Sequence, residues 1–130
     1  MLKKIDRLFG VLLVLGSCGH TAGTLLWLPA FSGMWVWSLG SSLAAALLGA
    51  LNIVRAGSPG DKTLAVITTI GTAVWAMVAL AFRLSINNVC DVRAMTHFVE
   101  SVVLVIFGLR TIRGQMELQL HTNVRTAAAK

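Results

Sequence analysis

Between Arg7 and Arg55 the sequence reads LFGVLLVLGSCGHTAGTLLWLPAFSGMWVWSLGSSLAAALLGALNIV (residues 8–54), 47 consecutive positions without an Asp, Glu, Lys or Arg. A helix crosses the hydrocarbon core of a bilayer in about 20 residues, so this run is long enough for two crossings. It divides at Pro29-Ala30-Phe31-Ser32-Gly33, where a proline and a glycine bracket a short turn. The stretches 8–28 and 34–54 on either side are therefore predicted to form a helical hairpin. A turn-rich polar linker from Arg55 to Lys62 leads to a third apolar run, 63–82, which ends at Arg83. A fourth, 94–113, is mostly apolar from Ala94 to Leu109 and reaches Arg113 if Arg110 snorkels to the interface.

The remaining composition agrees. Of 130 residues, 56% are hydrophobic and 12% charged, and the mean hydropathy is +0.80; soluble domains carry roughly 25% charged residues. None of the four stretches alternates in polarity as a barrel strand does, and a lipid-facing backbone must satisfy its own hydrogen bonds, which leaves helices. The predicted fold is all-α, a polytopic four-transmembrane-helix bundle over residues 1–113. Residues 114–130 form a polar cytoplasmic tail whose first half can continue the fourth helix and whose end, from Thr122, is expected to fray.

Nine basic residues (Lys3, Lys4, Arg7, Arg55, Lys62, Arg110, Arg113, Arg125 and Lys130) fall on one side of these spans, and Arg83 and Arg93 on the other. The positive-inside rule then places both termini in the cytoplasm of a multi-pass inner-membrane protein. The net charge of +6 is accounted for by this topology and by attraction to anionic lipid, and calls for no nucleic acid. Trp27, Trp35 and Trp37 fall at the outer ends of the first two spans and read as an interfacial belt. Leu15-Gly16-Ser17-Cys18 looks like a lipobox, but Asp6 interrupts the positive start and the apolar run continues to Leu28. Cys18 is expected inside the first helix and Cys90 in the outer loop, too far apart for a disulfide.

Small residues are concentrated in the first hairpin. They include the pair Gly19-x-x-x-Gly23 and two stripes on the second helix, Ser41/Ala45/Gly49 and Ser42/Ala46/Ala50. Close approach of backbones is what drives helix association in lipid. One stripe is assigned to the neighbouring helix and the other to a second protomer, predicting a homo-oligomer, a dimer in the simplest case.

Ionisable groups inside spans are expensive and point to function. His20 lies about 12 Å from the outer end of the first span and Glu100 about 9 Å from that of the fourth, so the two are expected to share a layer. His97 precedes Glu100 by three residues and projects from the same helix face. Thr24, Ser41, Ser42 and Trp75 fall near this height, outlining an outer-leaflet polar pocket, whereas the inner half of the bundle shows no ionisable group. Glu100 paired with an imidazole is open to three readings: a structural link, a proton relay coupled to transport of a small solute, or, with His20 and His97, a three-ligand metal site of a membrane enzyme. Haem between His20 and His97 is disfavoured by their difference in depth and the lack of an attachment motif. Nucleophile-elbow, phosphate-loop, zinc-protease and dinucleotide-binding motifs are absent, and His121 reads as a solvated tail residue. By size and span count the chain is similar to small multidrug-resistance transporters. Those proteins carry their membrane carboxylate in the first helix, where this chain has His20, so neither their activity nor their residues transfer. The expected function is binding or proton-coupled transport of a small solute. The alternatives are a non-catalytic subunit of a larger membrane partner and a metal-dependent enzyme.

Overall fold

The computed structural model describes residues 1–85 and 92–128, which contain four helices: α1 (Leu2–Trp27), α2 (Gly33–Gly57), α3 (Lys62–Ser85) and α4 (Val92–Ala128). Each contains a stretch long and apolar enough to cross a membrane. Cys90 lies outside the described residues. Cys18 is a free thiol exposed on α1.

Local chemistry explains the helix ends. Ser32 caps α2 by accepting the Trp35 N–H (3.2 Å), and Asp61 caps α3 by accepting the Leu64 N–H (2.9 Å), in the place where a carboxylate also suits the helix dipole. Between α1 and α2 the chain turns through Phe31, a non-glycine residue at φ 63°. The helices outrun the charge-free windows. α1 begins six residues before position 8, α2 continues past Arg55 to Gly57, and α4 continues through Thr122 to Ala128. A helix ends at a breaker or a cap rather than at the first charge, and nothing between Gly114 and Ala128 breaks it.

α1 packs along α2 and α3 along α4, and the two hairpins meet through α1 against α4 and α2 against α3. Buried positions recur at alternating steps of three and four residues: Asp6, Gly10, Leu13, Ser17 and Thr24 on α1, and Ser42, Ala45, Gly49, Asn52 and Ala56 on α2. This 3.5-residue period is that of left-handed bundle packing. What fills it is unusual for water and natural for lipid. Among the described residues, buried polar side chains outnumber buried apolar ones, and only Leu13 and Leu104 among the latter are larger than alanine. Large apolar side chains such as Leu26, Met77 and Ile106 face outward.

The tightest crossing is Gly10 against Gly49. A Cβ on Gly49 would come within 2.8 Å of the Gly10 carbonyl oxygen, and one on Gly10 within 3.1 Å of the Gly49 oxygen. The expectation built on Gly19 and Gly23 is corrected here: a Cβ on Gly19 meets nothing within 4 Å, and one on Gly23 meets only Trp27 of the same helix. The two stripes on α2 are also redrawn. The heptad face takes Ser42, Ala45 and Gly49, two residues from the first helical row and one from the second, and leaves Ala50 exposed. On the other hairpin, Gly108 lets Thr69 sit directly against the α4 backbone.

Candidate functional site

The interior contains two polar layers. In the first, near the α1–α2 turn, His20 Nε2 lies 3.1 Å from Ser38 Oγ and 3.4 Å from Ser41 Oγ, and Ser38 Oγ lies 2.6 Å from Thr24 Oγ1. Thr24 donates its proton to the His20 carbonyl (2.9 Å) and Ser41 to the Ser38 carbonyl (2.8 Å). The direction of the Ser38–Thr24 bond and of the two bonds at Nε2 follows from the tautomer of the imidazole. His20 is thus held by α2 through Ser38 and Ser41.

His97 stands opposite, on α4. Its ring rests over Gly16 of α1, where a Cβ would come within 3.0 Å of Cε1. It meets the rings of His20 (6.4 Å) and Trp75 (6.3 Å) edge to face. Gly16 is therefore the space that lets an α4 imidazole reach between α1 and α3. Glu100 follows three residues later, about 4.5 Å further along the axis, and is 6% exposed. Three atoms of this group are buried without a hydrogen-bond partner: Trp75 Nε1, His97 Nδ1 and Glu100 Oε2.

The predicted site residues thus divide. His20, Thr24 and Ser41 form one hydrogen-bonded cluster through Ser38, while Trp75 and His97 meet as rings and Glu100 lies buried one turn further along α4. Ser42 is buried and donates to the Ser38 carbonyl (3.0 Å). The ring beside His20 is His97, and Glu100 lies a turn deeper, because counting residues from each helix end ignores the offset between α1 and α4 along the bundle axis. Among the described residues no three His, Cys, Asp or Glu side chains converge closely enough to hold a metal ion, so His20, His97 and Glu100 are not assembled as a ligand set.

The second layer lies at the end of the bundle carrying both termini, and none of the sequence's candidate site residues belongs to it. Arg55 has no exposed surface. Its Nη2 donates to Asp6 Oδ1 (2.5 Å), its Nε to Asn52 Oδ1 (3.2 Å) and its Nη1 to Thr111 Oγ1 (3.2 Å). Asn52 Nδ2 continues to Thr72 Oγ1 (2.8 Å). The guanidinium and Asn52 together therefore tie all four helices: Arg55 reaches Asp6 of α1 and Thr111 of α4, and Asn52 reaches Thr72 of α3. Beyond it, Gln115 Nε2 donates to the Pro59 carbonyl, pinning the α2–α3 turn to α4. The expectation that this half of the bundle holds no ionisable group is corrected. Asp6 and Arg55 lie just outside the charge-free run, yet they continue the buried faces of α1 and α2 at the same three-and-four spacing.

Between the layers lies a small apolar plug of Leu13, Ala45 and Leu104, with Phe9, Leu48 and Trp75 packed on it. Leu13 is seven residues from both Asp6 and His20, about 10 Å from each along α1. The chain matches no protein family, no characterised protein and no solved structure.

Proposed function

We propose that this chain is a multi-pass inner-membrane protein that binds a small hydrogen-bonding solute in its outer polar layer and exchanges a proton with it, as the binding step of proton-coupled transport. The carrying observation is the set of unpartnered buried atoms on Trp75, His97 and Glu100. A buried polar group left unpaired costs about 1–3 kcal/mol, more when charged. A solute that offers donors to Glu100 and an acceptor to the Trp75 N–H removes that penalty. Glu100 is the proton acceptor in this reading, His97 the adjoining group that takes or returns the proton, Trp75 the orienting donor, and His20 a second imidazole held in place by α2. The plug of Leu13, Ala45 and Leu104 keeps the loaded layer from the Arg55 layer, as a vectorial process requires.

The test is a purified protein in liposomes loaded with a pH-reporting dye and challenged in turn with small amines, carboxamides and weak acids. One class should shift the lumenal pH in the parent. Glu100→Gln should abolish that shift, and His121→Gln in the tail should leave it intact. If no class shifts either the lumenal pH or the melting temperature of the parent, the reading fails.

The same proposal takes both termini as cytoplasmic and the working unit as a homodimer. Support for the dimer comes from Gly19 and Gly40, where an added Cβ would meet nothing within 4 Å, so that α1 and α2 offer outward-facing small residues of the kind helices use to associate in lipid. Cys18, exposed beside Gly19, is the reporter. In a Cys90→Ser background, oxidation should trap a Cys18-linked dimer, and Gly19→Leu should prevent it. A stoichiometric second protein in place of the cross-linked dimer would favour the non-catalytic subunit reading.

A further inference from the structure

The end of the bundle that carries the Arg55 layer has two adjoining cavities, which share Arg110 and Gly114. One, of about 350 Å³, lies between the start of α1, the α2–α3 turn and α4, above the Asp6–Arg55 pair. The other, of about 450 Å³, runs along the outward side of α4 past Ile106 and Arg113. Their charge is unbalanced. Asp6 is already engaged by Arg55, so exposed Lys3, Arg110 and Arg113 face a single further acid, Glu117. Their walls are largely apolar, and Leu2, Ile106, Leu109 and Leu118 are 45–69% exposed. The joined space therefore opens sideways onto the surface that lipid covers.

We propose that these cavities hold one anionic phospholipid, its phosphate between Lys3 and Arg110 and an acyl chain along Ile106 and Leu109. Basic side chains at a membrane boundary attract anionic headgroups in general. What distinguishes this place is shape: a cleft beside the cations, walled by apolar side chains, in which Gly114 leaves open space where any other residue would place a side chain. The inference is independent of the solute site, which lies at the other end of the bundle. A phosphate here sits over the Asp6–Arg55 pair and bridges the start of α1 to α4, so occupancy should stabilise the end at which all four helices are tied.

The experiment uses the full chain in phosphatidylcholine nanodiscs, with and without a minor fraction of phosphatidylglycerol, read by native mass spectrometry and by melting temperature. Retention of one phosphatidylglycerol per chain is expected, with a preference of about tenfold over phosphatidylcholine and a raised melting temperature. Gly114→Leu fills the shared space with a stronger helix former and should remove both effects. Lys3→Gln/Arg110→Gln, at two exposed positions, should weaken them without filling anything, which keeps the test valid if the leucine variant folds poorly. Equal retention of the two lipids overturns the proposal, as does a preference that neither variant reduces. A third arm adds inorganic phosphate to pure phosphatidylcholine discs. Stabilisation equal to that by phosphatidylglycerol would assign the cleft to a soluble phosphate and overturn the lipid.

Discussion

A guanidinium with no exposed surface, in a bundle that faces lipid, is held by its hydrogen bonds alone. Arg55 makes three, to Asp6, Asn52 and Thr111. A buried pair of this kind is weak evidence of net stability, because desolvation offsets most of the attraction, but breaking it leaves an uncompensated charge and costs about 3–5 kcal/mol. Arg55→Met and Asp6→Leu should therefore each lower stability by that order in a detergent unfolding titration, and the double variant Asp6→Leu/Arg55→Met should be more stable than either single. Losses that add in the double variant would show that the two side chains act separately. The same group shows why part of the interior was hidden in the sequence. Charge marks where an apolar span stops, and by that criterion Asp6 and Arg55 flank the spans. What places them inside is the continuation of the three-and-four spacing, from Leu13 back to Asp6 and from Asn52 on to Ala56, which puts Arg55 at the edge of the buried face. His20, His97 and Glu100, more than a turn from any other charge, are legible for the opposite reason: nothing but a buried role explains an ionisable group there.

At the scale of the helices, hydropathy and the turn chemistry at Pro29 and Pro59 were enough to find all four, and the interior contacts were not. Small-residue patterns occur on more than one face of α1 and α2, and composition cannot say which face meets the neighbour. Gly10, with no small partner four residues away at Val14, carries the α1–α2 crossing because it meets Gly49 across the interface, and a between-helix pairing leaves no mark in either helix alone. The contrast is measurable. Gly49→Ala forces a methyl to 2.8 Å from a backbone oxygen and should destabilise the hairpin by about 1–3 kcal/mol, as overpacking does. Gly19→Ala, into open space, should be neutral or stabilising by up to about 1 kcal/mol through helix propensity. Unfolding midpoints of the two variants in one detergent decide the matter, and equal effects would mean that the crossing is not at Gly10 and Gly49.

Across the described bundle, two polar layers flank a short apolar plug, and the transport reading makes that plug the barrier between them. Polar side chains occupy the interior at both ends, so what separates the two sides is the short apolar section around Leu13, Ala45 and Leu104. An apolar void stays dry even when it is large enough for water, whereas a polar side chain recruits water to itself. That difference separates two substitutions at one position. Leu104→Ala should destabilise the bundle by about 2–5 kcal/mol and leave it tight to protons, because the side chains clustered there, Leu13, Ala45, Phe9, Leu48 and Trp75, are apolar but for the one indole N–H. Leu104→Asn should connect the Glu100 layer to the Asn52–Arg55 layer through water and raise the proton leak of dye-loaded liposomes by about tenfold or more, equivalent to some 1.4 kcal/mol of barrier. A leak in both variants would mean that packing alone, not polarity, closes the path. A leak in neither would place the barrier elsewhere along the bundle and remove the plug from the transport reading, while leaving binding at Trp75, His97 and Glu100 to stand on the solute assay.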